Sequence, residues 1–321
     1  MFLRPALKQA DCRRQWPQNQ NLDPAAENEF DRFLLSPNLN ERLSHLSVTG
    51  MKTSIFWPDG LKSLLLLFCG LFAVVSPVFA APKKILVVTV TKGFRHSSIP
   101  TAEKVLGELA QKSGVFTVEY VRNDEEMAQK MTTASLKNYD GVVFANTTGD
   151  LPLPDKDAFI DWIKSGKAFI GTHSASDTFH GYPPYIEMLG GEFQSHHAQA
   201  EVDCLSQDPK HPACRHLGPV FHVKDEIYLL KNFDRTKVHP LLMLDKHPNE
   251  KTPGDFPIAW AKQFGTGRVF YTSLGHREDV WDSDTPESFK RENPKSVSEA
   301  YEQHLLGGIK WALGLDGEAK Q

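Results

Sequence analysis

Strand-like and helix-like segments alternate along the chain from Lys84 to Ser176, and this alternation is the strongest constraint on the fold. The predicted strands are mostly apolar, as buried parallel strands are, and lie at 84–90, 115–121, 140–148 and 168–172. The predicted helices between them each carry one apolar face and lie at 100–113, 124–136 and 154–165. Regular alternation of this kind predicts an α/β fold, a doubly wound parallel sheet with helices on both faces.

The pattern is less regular beyond Ser176. A short helix is expected at 182–189, followed by shorter strands in a mixed arrangement and a final helix at 297–313 that covers the sheet. The strand candidates are 220–230, 241–244, 257–262 and 268–273, and a glycine-containing turn at 265–267 joins the last two. We therefore predict one domain, 82–315, followed by a short tail at 316–321.

The first 80 residues differ in kind from this domain. Residues 1–50 are polar and lack sustained periodicity, which indicates a non-native or disordered extension. In residues 51–80, lysines precede an apolar run and Val78-Phe-Ala80 follows it, which is the layout of a secretory signal. We predict cleavage after Ala80 and a periplasmic or secreted protein without stable membrane association. A membrane anchor is the alternative, because the apolar run approaches the length that spans a bilayer.

Charge and motifs exclude several partners. The formal net charge is −4, and no cluster of lysines and arginines is interleaved with aromatic residues as a nucleic-acid surface requires. The turn after the first predicted strand also lacks the Gly-x-Gly-x-x-Gly pattern of dinucleotide-binding folds. We therefore expect no nucleic-acid partner and neither a nicotinamide nor a flavin.

The predicted domain contains two cysteines, Cys204 and Cys214, in a loop-like stretch. In an exported chain this arrangement predicts a disulfide between them. Two free thiols in a reducing compartment are the alternative. No Cys-x-x-Cys is present, so a thiolate zinc site is not supported.

Histidines follow predicted strands at several points. The strand that begins at Ala168 stops at a glycine just before His173, and the strand that begins at Gly267 ends at His276. Because the carboxyl ends of parallel strands meet at one edge of a sheet, we expect His173 to be the centre of a site. The histidines predicted to share it are His96, His173, His276 and one or both of His196 and His197. Imidazole is the commonest side chain for both metal binding and proton transfer near neutral pH.

Such a set of imidazoles favours zinc, and a catalytic site would keep one position open for water. Two carboxylates are predicted to assist. Asp177 is placed to act as a general base or to orient an imidazole, with a helix N-cap as the alternative. Adjacent residues lie on opposite faces of a strand, so only one of Asp225 and Glu226 can face a site, and Glu226 is the residue chosen.

Three further side chains are predicted to bind the substrate. Ser174 follows the central histidine directly, and Arg277 is placed to bind sugar hydroxyls beside His276. Trp281 is predicted to stack against a sugar ring. For Arg277 the alternative is a solvated surface charge, and for Trp281 it is a packed core aromatic.

Several short motifs carry a resemblance to a known family. They include Gly93-Phe-Arg-His-Ser-Ser-Ile, Phe169-Ile-Gly-Thr-His-Ser-Ala-Ser-Asp-Thr, Lys224-Asp-Glu-Ile-Tyr and Gly267-Arg-Val-Phe-Tyr-Thr-Ser-Leu-Gly-His. In their order and spacing they are similar to the ThuA-like, trehalose-utilisation family. This resemblance implies a flavodoxin-like sheet related to class I glutamine amidotransferase domains. The turn that carries a cysteine nucleophile in those amidotransferases resembles Gly171-Thr-His-Ser-Ala here, so amidotransfer from glutamine is not expected.

The resemblance implies a role in sugar utilisation, with a small-molecule sugar as the partner. Together with the histidines, the resemblance implies a histidine-centred, zinc-dependent hydrolase, lyase or isomerase that acts on trehalose, a related glycoside or a keto sugar. No paired-carboxylate motif of a glycosidase is evident, whereas histidines suit proton abstraction beside a carbonyl. A noncatalytic sugar-binding protein is the alternative. A serine hydrolase that uses Ser174 is less favoured because no Gly-x-Ser-x-Gly is present.

Overall fold

The computed structural model describes residues 81–285 and 288–316. The predicted extension, the predicted signal segment and its cleavage site at Ala80 lie outside these residues. Within the described ranges, no helix is both long enough and apolar enough to cross a membrane.

Nine strands of the described chain form one sheet, and two more form a separate ribbon. The strands are β1 (Lys83–Val88), β2 (Phe116–Val121), β3 (Gly141–Ala145), β4 (Ala168–Thr172), β5 (Glu192–His196), β6 (Ala200–Ser206), β7 (Val220–Asp225), β8 (Tyr228–Lys231), β9 (His239–Lys246), β10 (Pro253–Phe264) and β11 (Gly267–Thr272). The order in the large sheet is β2-β1-β3-β4-β11-β10-β9-β6-β7, and β5 pairs with β8 in the ribbon. The first five strands of that order are parallel and the remaining pairings are antiparallel.

Helices flank the parallel half of the sheet. They are α1 (Ile99–Ser113), α2 (Asp124–Lys130), α3 (Thr133–Leu136), α4 (Lys156–Lys164), α5 (Pro183–Leu189), α6 (Glu278–Trp281) and α7 (Lys295–Ala312). Their ends follow local chemistry: the Asp155 side chain accepts a hydrogen bond from the Ala158 N–H at the start of α4. Gly114, with φ of 65°, ends α1 in the left-handed conformation that favours glycine.

Apolar layers cover both faces of the sheet. Ile85 and Val87 of β1 point into one layer and Leu86 and Val88 into the other, because successive side chains of a strand alternate. Helices α1 and α7 pack on the first layer, and helices α4 and α5 pack on the second. Burial on both faces explains why β1 reads as an almost continuous apolar run.

The predicted α/β fold is confirmed, including the flavodoxin-like parallel half and the mixed second half. Several boundaries differ from the prediction. The predicted helix at 124–136 is two helices, and the predicted strand at 220–230 is β7 and β8, which belong to different sheets. Strands β5 and β6 were not predicted, since their sequences mix polar and apolar residues without the apolar run of a core strand.

The two cysteines of the domain are free thiols, so the predicted disulfide is wrong. Cys204 is fully buried on β6, opposite Phe221 of β7. Cys214 directs its thiol to the carbonyl oxygen of Leu241 at 3.7 Å. Burial raises the pKa of the Cys214 thiol to about 12 and also raises that of Cys204, so both stay protonated. They pack as small apolar side chains in the core.

Candidate functional site

Four side chains meet beyond the carboxyl ends of the strands. His96, His173, Glu226 and His276 each contribute one nitrogen or oxygen, and these atoms all lie within 4.8 Å of one another. His96 lies in the loop after β1, His173 directly follows β4, Glu226 directly follows β7, and His276 follows β11. These residues are called the four-residue cluster below. The structure therefore brings together four side chains that are up to 180 residues apart. The three histidines follow parallel strands, whose carboxyl ends meet at one edge of the sheet, whereas Glu226 follows the antiparallel strand β7.

His173 is held in one orientation by its backbone and its neighbours. It is fully buried and has φ of 44°, a left-handed conformation that is strained for a non-glycine residue and common at functional sites. The Tyr271 hydroxyl donates a hydrogen bond to the carbonyl oxygen of His173 at 2.6 Å. The ring Nδ1 lies 2.8 Å from the carbonyl oxygen of Ser273. Because that oxygen only accepts, Nδ1 carries the proton and Nε2 keeps a free lone pair.

The Nε2 lone pair of His173 points into the cluster. It lies 3.2 Å from Nε2 of His96 and 3.7 Å from Oε1 of Glu226. Strands β4 and β11 end in register, with Thr172 opposite Thr272, which places His173 beside Ser273. This backbone register therefore sets the protonated nitrogen of His173.

Both buried histidines of the cluster are neutral near pH 7. Burial lowers the pKa of His96 to about 4, and the neighbouring His276 lowers it further. Burial also lowers the pKa of His173, with contributions from His96 and His276. Nδ1 of His96 lies 3.3 Å from the hydroxyl oxygen of Ser174. Ser174 is therefore buried against His96 and holds that ring, rather than reaching a substrate as predicted.

His276 has a ring nitrogen with no partner in the described residues. Its buried Nδ1 makes no hydrogen bond. It lies 3.3 Å from Oε1 of Glu226 but is not directed at that oxygen. Burial lowers the pKa of His276, but the close approach of the Glu226 carboxylate and its charge together outweigh burial, and the pKa is raised overall. An orphaned imidazole nitrogen that faces a carboxylate and two neutral imidazoles is the arrangement that a cation would satisfy.

Glu226 connects the cluster to an exposed imidazole. Its Oε2 lies 3.1 Å from Nδ1 of His196, whose side chain is 43% exposed. The same Nδ1 lies 3.0 Å from the carbonyl oxygen of His197, so it carries a proton and acts as the donor. Glu226 thus lies at ion-pair distance from an exposed imidazole, whose Nδ1–H is donated to the His197 carbonyl.

His197 takes no part in this arrangement. It is exposed and lies near His247 and Glu250, in a second group of possible metal-binding side chains. Nδ1 of His247 accepts hydrogen bonds from the backbone N–H groups of Asn249 and Glu250 at 3.3 and 3.1 Å. The proton of a neutral His247 is then on Nε2, which leaves no free lone pair for an ion. Of the two adjacent histidines predicted for the site, only His196 lies beside it.

Asp177 also lies outside the four-residue cluster. Its carboxylate contacts Nε2 of His180, and Nδ1 of that ring lies 2.9 Å from Glu192. Burial lowers the pKa of His180, but the hydrogen bonds to Asp177 and Glu192 outweigh it and raise the pKa. Asp177 therefore orients an imidazole, as one of its two predicted roles required, but the ring is that of His180 outside the cluster. The other predicted role, a general base in the cluster, does not fit this position.

The side chains of Arg277 and Trp281 are occupied within the protein. The guanidinium of Arg277 forms two hydrogen bonds with Asp279, at 2.9 and 3.0 Å, and a third with Gln199 at 2.7 Å. Trp281 is fully buried and donates its indole N–H to the carbonyl oxygen of Gly275 at 2.7 Å. Neither is free to bind a sugar as predicted, since both stabilise the loop around His276.

Asn146 links three of the loops that carry cluster residues, and sequence reasoning did not identify it. Its side-chain N–H donates to the carbonyl oxygen of Gly275 at 2.8 Å and to the hydroxyl of Ser98 at 3.1 Å. Its side-chain oxygen accepts from the hydroxyl of Thr172 at 2.8 Å. These partners lie one or two residues from His276, His96 and His173 respectively. The only signal in the sequence is its place at the polar end of β3.

Asp225 is the second positioning residue that was missed. It is fully buried and accepts hydrogen bonds from the N–H groups of Gly275 at 2.7 Å and Arg277 at 3.1 Å, on either side of His276. Gly275 has φ of 116°, and a side chain there would contact Trp281 and Tyr301 at 2.9 Å. Burial raises the pKa of Asp225 to about 6, although these N–H groups oppose the rise. The adjacent carboxylates thus divide as alternation predicted, with Glu226 in the cluster and Asp225 behind it.

Comparison with known proteins supports one family. The ThuA family model, described as trehalose utilisation, matches residues 84–312. A solved ThuA-like protein from Parabacteroides merdae is 19% identical, with a TM-score of 0.57, over 75% of this chain and 93% of that one. A second, from Bacteroides uniformis, is 19% identical with a TM-score of 0.57 over 77% and 98%. No curated protein matches the sequence. The chain adopts the glutamine amidotransferase-like α/β fold of these structures and belongs to the ThuA family.

Proposed function

We propose that the four-residue cluster binds one zinc ion and catalyses a reaction of an oxidised, keto-bearing sugar. The observation that carries the proposal is the tautomer of His173, whose Nδ1–H is fixed on the Ser273 carbonyl so that Nε2 faces the cluster. Histidines that bind metals are usually oriented in this way, by donating the other N–H to a carbonyl or carboxylate.

The donor atoms suit zinc in chemistry and spacing. Zinc prefers imidazole nitrogen and carboxylate oxygen at about 2.0–2.2 Å, which puts neighbouring ligands of a tetrahedral site roughly 3.3 Å apart. In the cluster, the His96–His173 nitrogens are 3.2 Å apart, and one nitrogen of His276 lies within 4.8 Å of a nitrogen of each of these two rings. We assign His96, His173 and His276 as the ligands. Three protein ligands leave a position open for a substrate oxygen, as in catalytic zinc sites.

When bound, zinc would polarise a carbonyl group of the substrate. The protein then has to remove a proton from the adjacent carbon, and Glu226 is the base at hand. Glu226 takes this proton while the electron pair of the C–H bond shifts toward the carbonyl oxygen. The exposed imidazole of His196 lies 3.1 Å from this carboxylate.

This chemistry favours a keto sugar over an unmodified glycoside. Hydrogens on a carbon next to a carbonyl are far more acidic than other sugar C–H groups, and a carboxylate can remove them. An ordinary glycosidase instead needs two carboxylates that flank the bond to be cleaved, at about 5–9.5 Å from each other. In the cluster, Glu226 is the one carboxylate, because Asp225 and Asp177 are engaged elsewhere. The single carboxylate therefore favours a keto sugar as the substrate. Hydrolysis, elimination and isomerisation are all reactions that such a substrate can undergo after the proton is removed.

The test is incubation of the zinc-loaded protein with trehalose and with its 3-keto derivative. We expect consumption of the keto sugar alone, with the unmodified disaccharide unchanged. Turnover of trehalose itself would contradict proton abstraction beside a carbonyl. Binding of either sugar without turnover would show a noncatalytic sugar-binding protein instead.

A further inference from the structure

One large apolar side chain of the described residues is exposed, and it lies next to the four-residue cluster. The Phe94 ring is 67% exposed. Single exposed apolar residues are common on protein surfaces and need no explanation by themselves. In this domain, however, the exposed ring lies two residues from a cluster histidine along the chain. The exposure of Phe94 is therefore of interest because the ring lies next to the cluster.

The backbone around Phe94 is fixed by hydrogen bonds to the loop after β3. The Phe94 carbonyl oxygen accepts from the hydroxyl of Thr148 at 2.9 Å, and the N–H of Gly93 donates to that same hydroxyl at 3.2 Å. The N–H of Lys92 donates to the carbonyl oxygen of Thr148 at 2.8 Å. A side chain at Gly93 would lie 3.3 Å from Thr148, so the two loops are in close contact. Phe94 is thus presented to solvent from a well-anchored turn.

The Phe94 ring is in contact with the site itself. Its centroid lies 4.9 Å from that of His96, and the two ring planes are 80° apart. His96 in turn lies 4.7 Å from His173. A pyranose ring is about as wide as these spacings, so a sugar with one oxygen at the cluster has an aromatic ring within reach.

We propose that Phe94 is a substrate-binding residue that stacks on a pyranose ring of the keto sugar. The inference rests on the proposed function and adds a subsite to it. Pyranose rings present C–H groups on their faces, and small-molecule sites commonly combine aromatic surface with a few polar groups that fix orientation. The cluster supplies the polar groups and Phe94 supplies the aromatic surface. This role differs from that predicted for Trp281, which is buried in the core.

Kinetics of Phe94→Ala, Phe94→Leu and Phe94→Tyr with the 3-keto sugar test the proposal. We expect Phe94→Ala to raise KM about tenfold, as the loss of one stacking contact predicts, with little change in kcat. Phe94→Leu should be nearly as impaired, because it retains apolar area without a ring, and Phe94→Tyr should approach the wild-type KM. Zinc content should be unchanged in all three variants, since Phe94 donates no atom to the metal and the hydrogen bonds that anchor its loop come from the backbone.

The outcomes separate this inference from the function on which it rests. A wild-type KM in Phe94→Ala, with turnover intact, overturns the stacking role and leaves the proposed function standing. A wild-type KM in Phe94→Leu would show that an apolar side chain without a ring is sufficient, and this result also overturns stacking. If wild-type protein consumes no keto sugar, the proposed function fails and the subsite fails with it. A self-association of the wild type that Phe94→Ala abolishes, with unchanged KM, identifies a protein contact instead.

Discussion

Replacement of His173 by alanine is expected to lower keto-sugar turnover by at least about a thousandfold, since a metal ion that polarises a carbonyl contributes several kcal/mol at the transition state. The substitution removes Nε2, which lies closest to His96 in the cluster. Turnover of the 3-keto sugar and zinc content of the purified variant measure the effect. The variant should also lose some thermal stability, because the ring is fully buried and its removal leaves a cavity.

His304 provides a matched control for this loss of stability. It is also fully buried, and its Nδ1 lies 2.8 Å from the carbonyl oxygen of Ala213, much as Nδ1 of His173 lies 2.8 Å from that of Ser273. His304 lies outside the four-residue cluster. His304→Ala should therefore lose stability and keep zinc and turnover. Equal loss of turnover per folded molecule in both variants would show that His173 is a structural residue.

Asn146→Gly is expected to weaken zinc binding by about 10- to 100-fold, the usual effect of removing a group that orients metal ligands. The substitution removes the hydrogen bonds to Ser98, Thr172 and Gly275 that fix three histidine-bearing loops. Glycine accepts the φ of 53° that Asn146 adopts, so the backbone is not strained by the change. Zinc affinity is measured by competition with a chromophoric chelator.

Asn232 supplies the control for Asn146. It also has a left-handed backbone, with φ of 57°, and its side-chain N–H donates to Glu192 rather than to a histidine-bearing loop. Asn232→Gly should leave zinc affinity unchanged. A wild-type affinity in Asn146→Gly would show that the histidine loops are held without that side chain.

The sequence predicted those parts of the site whose positions are determined by the sheet. His173 and His276 each follow an apolar parallel strand, and such strands end at one edge, so their convergence could be inferred from the chain alone. The inference that only one of Asp225 and Glu226 faces the cluster could be drawn because alternation along a strand is a local property. Which of the two does so is decided by the folded chain. The fold and the centre of the site are therefore consequences of short-range pattern plus a general rule of topology.

The remaining roles depend on contacts between distant segments, which no local pattern reports. Arg277 and Trp281 have side chains that could bind a sugar, and only the folded chain shows that Asp279, Gln199 and Gly275 occupy them. The left-handed φ of His173 was likewise unpredictable, because non-glycine residues rarely adopt it.

Asn146 is the reverse case, a residue that was not predicted for the site but positions it. An asparagine at the end of a strand is ordinary, and its importance follows from three partners at residues 98, 172 and 275. The disulfide prediction failed for a different reason. Their spacing allows a disulfide, but strand β6 buries Cys204 among core residues and Cys214 contacts Leu241 instead.

The most direct test of the account is the metal content of the full chain purified without chelator, measured by inductively coupled plasma mass spectrometry. The account predicts about one zinc ion per chain in the wild type and a large loss in His173→Ala, with His304→Ala unchanged. Absence of zinc from the wild type, together with no uptake of added zinc at micromolar concentrations, would contradict the assignment of His96, His173 and His276 as metal ligands.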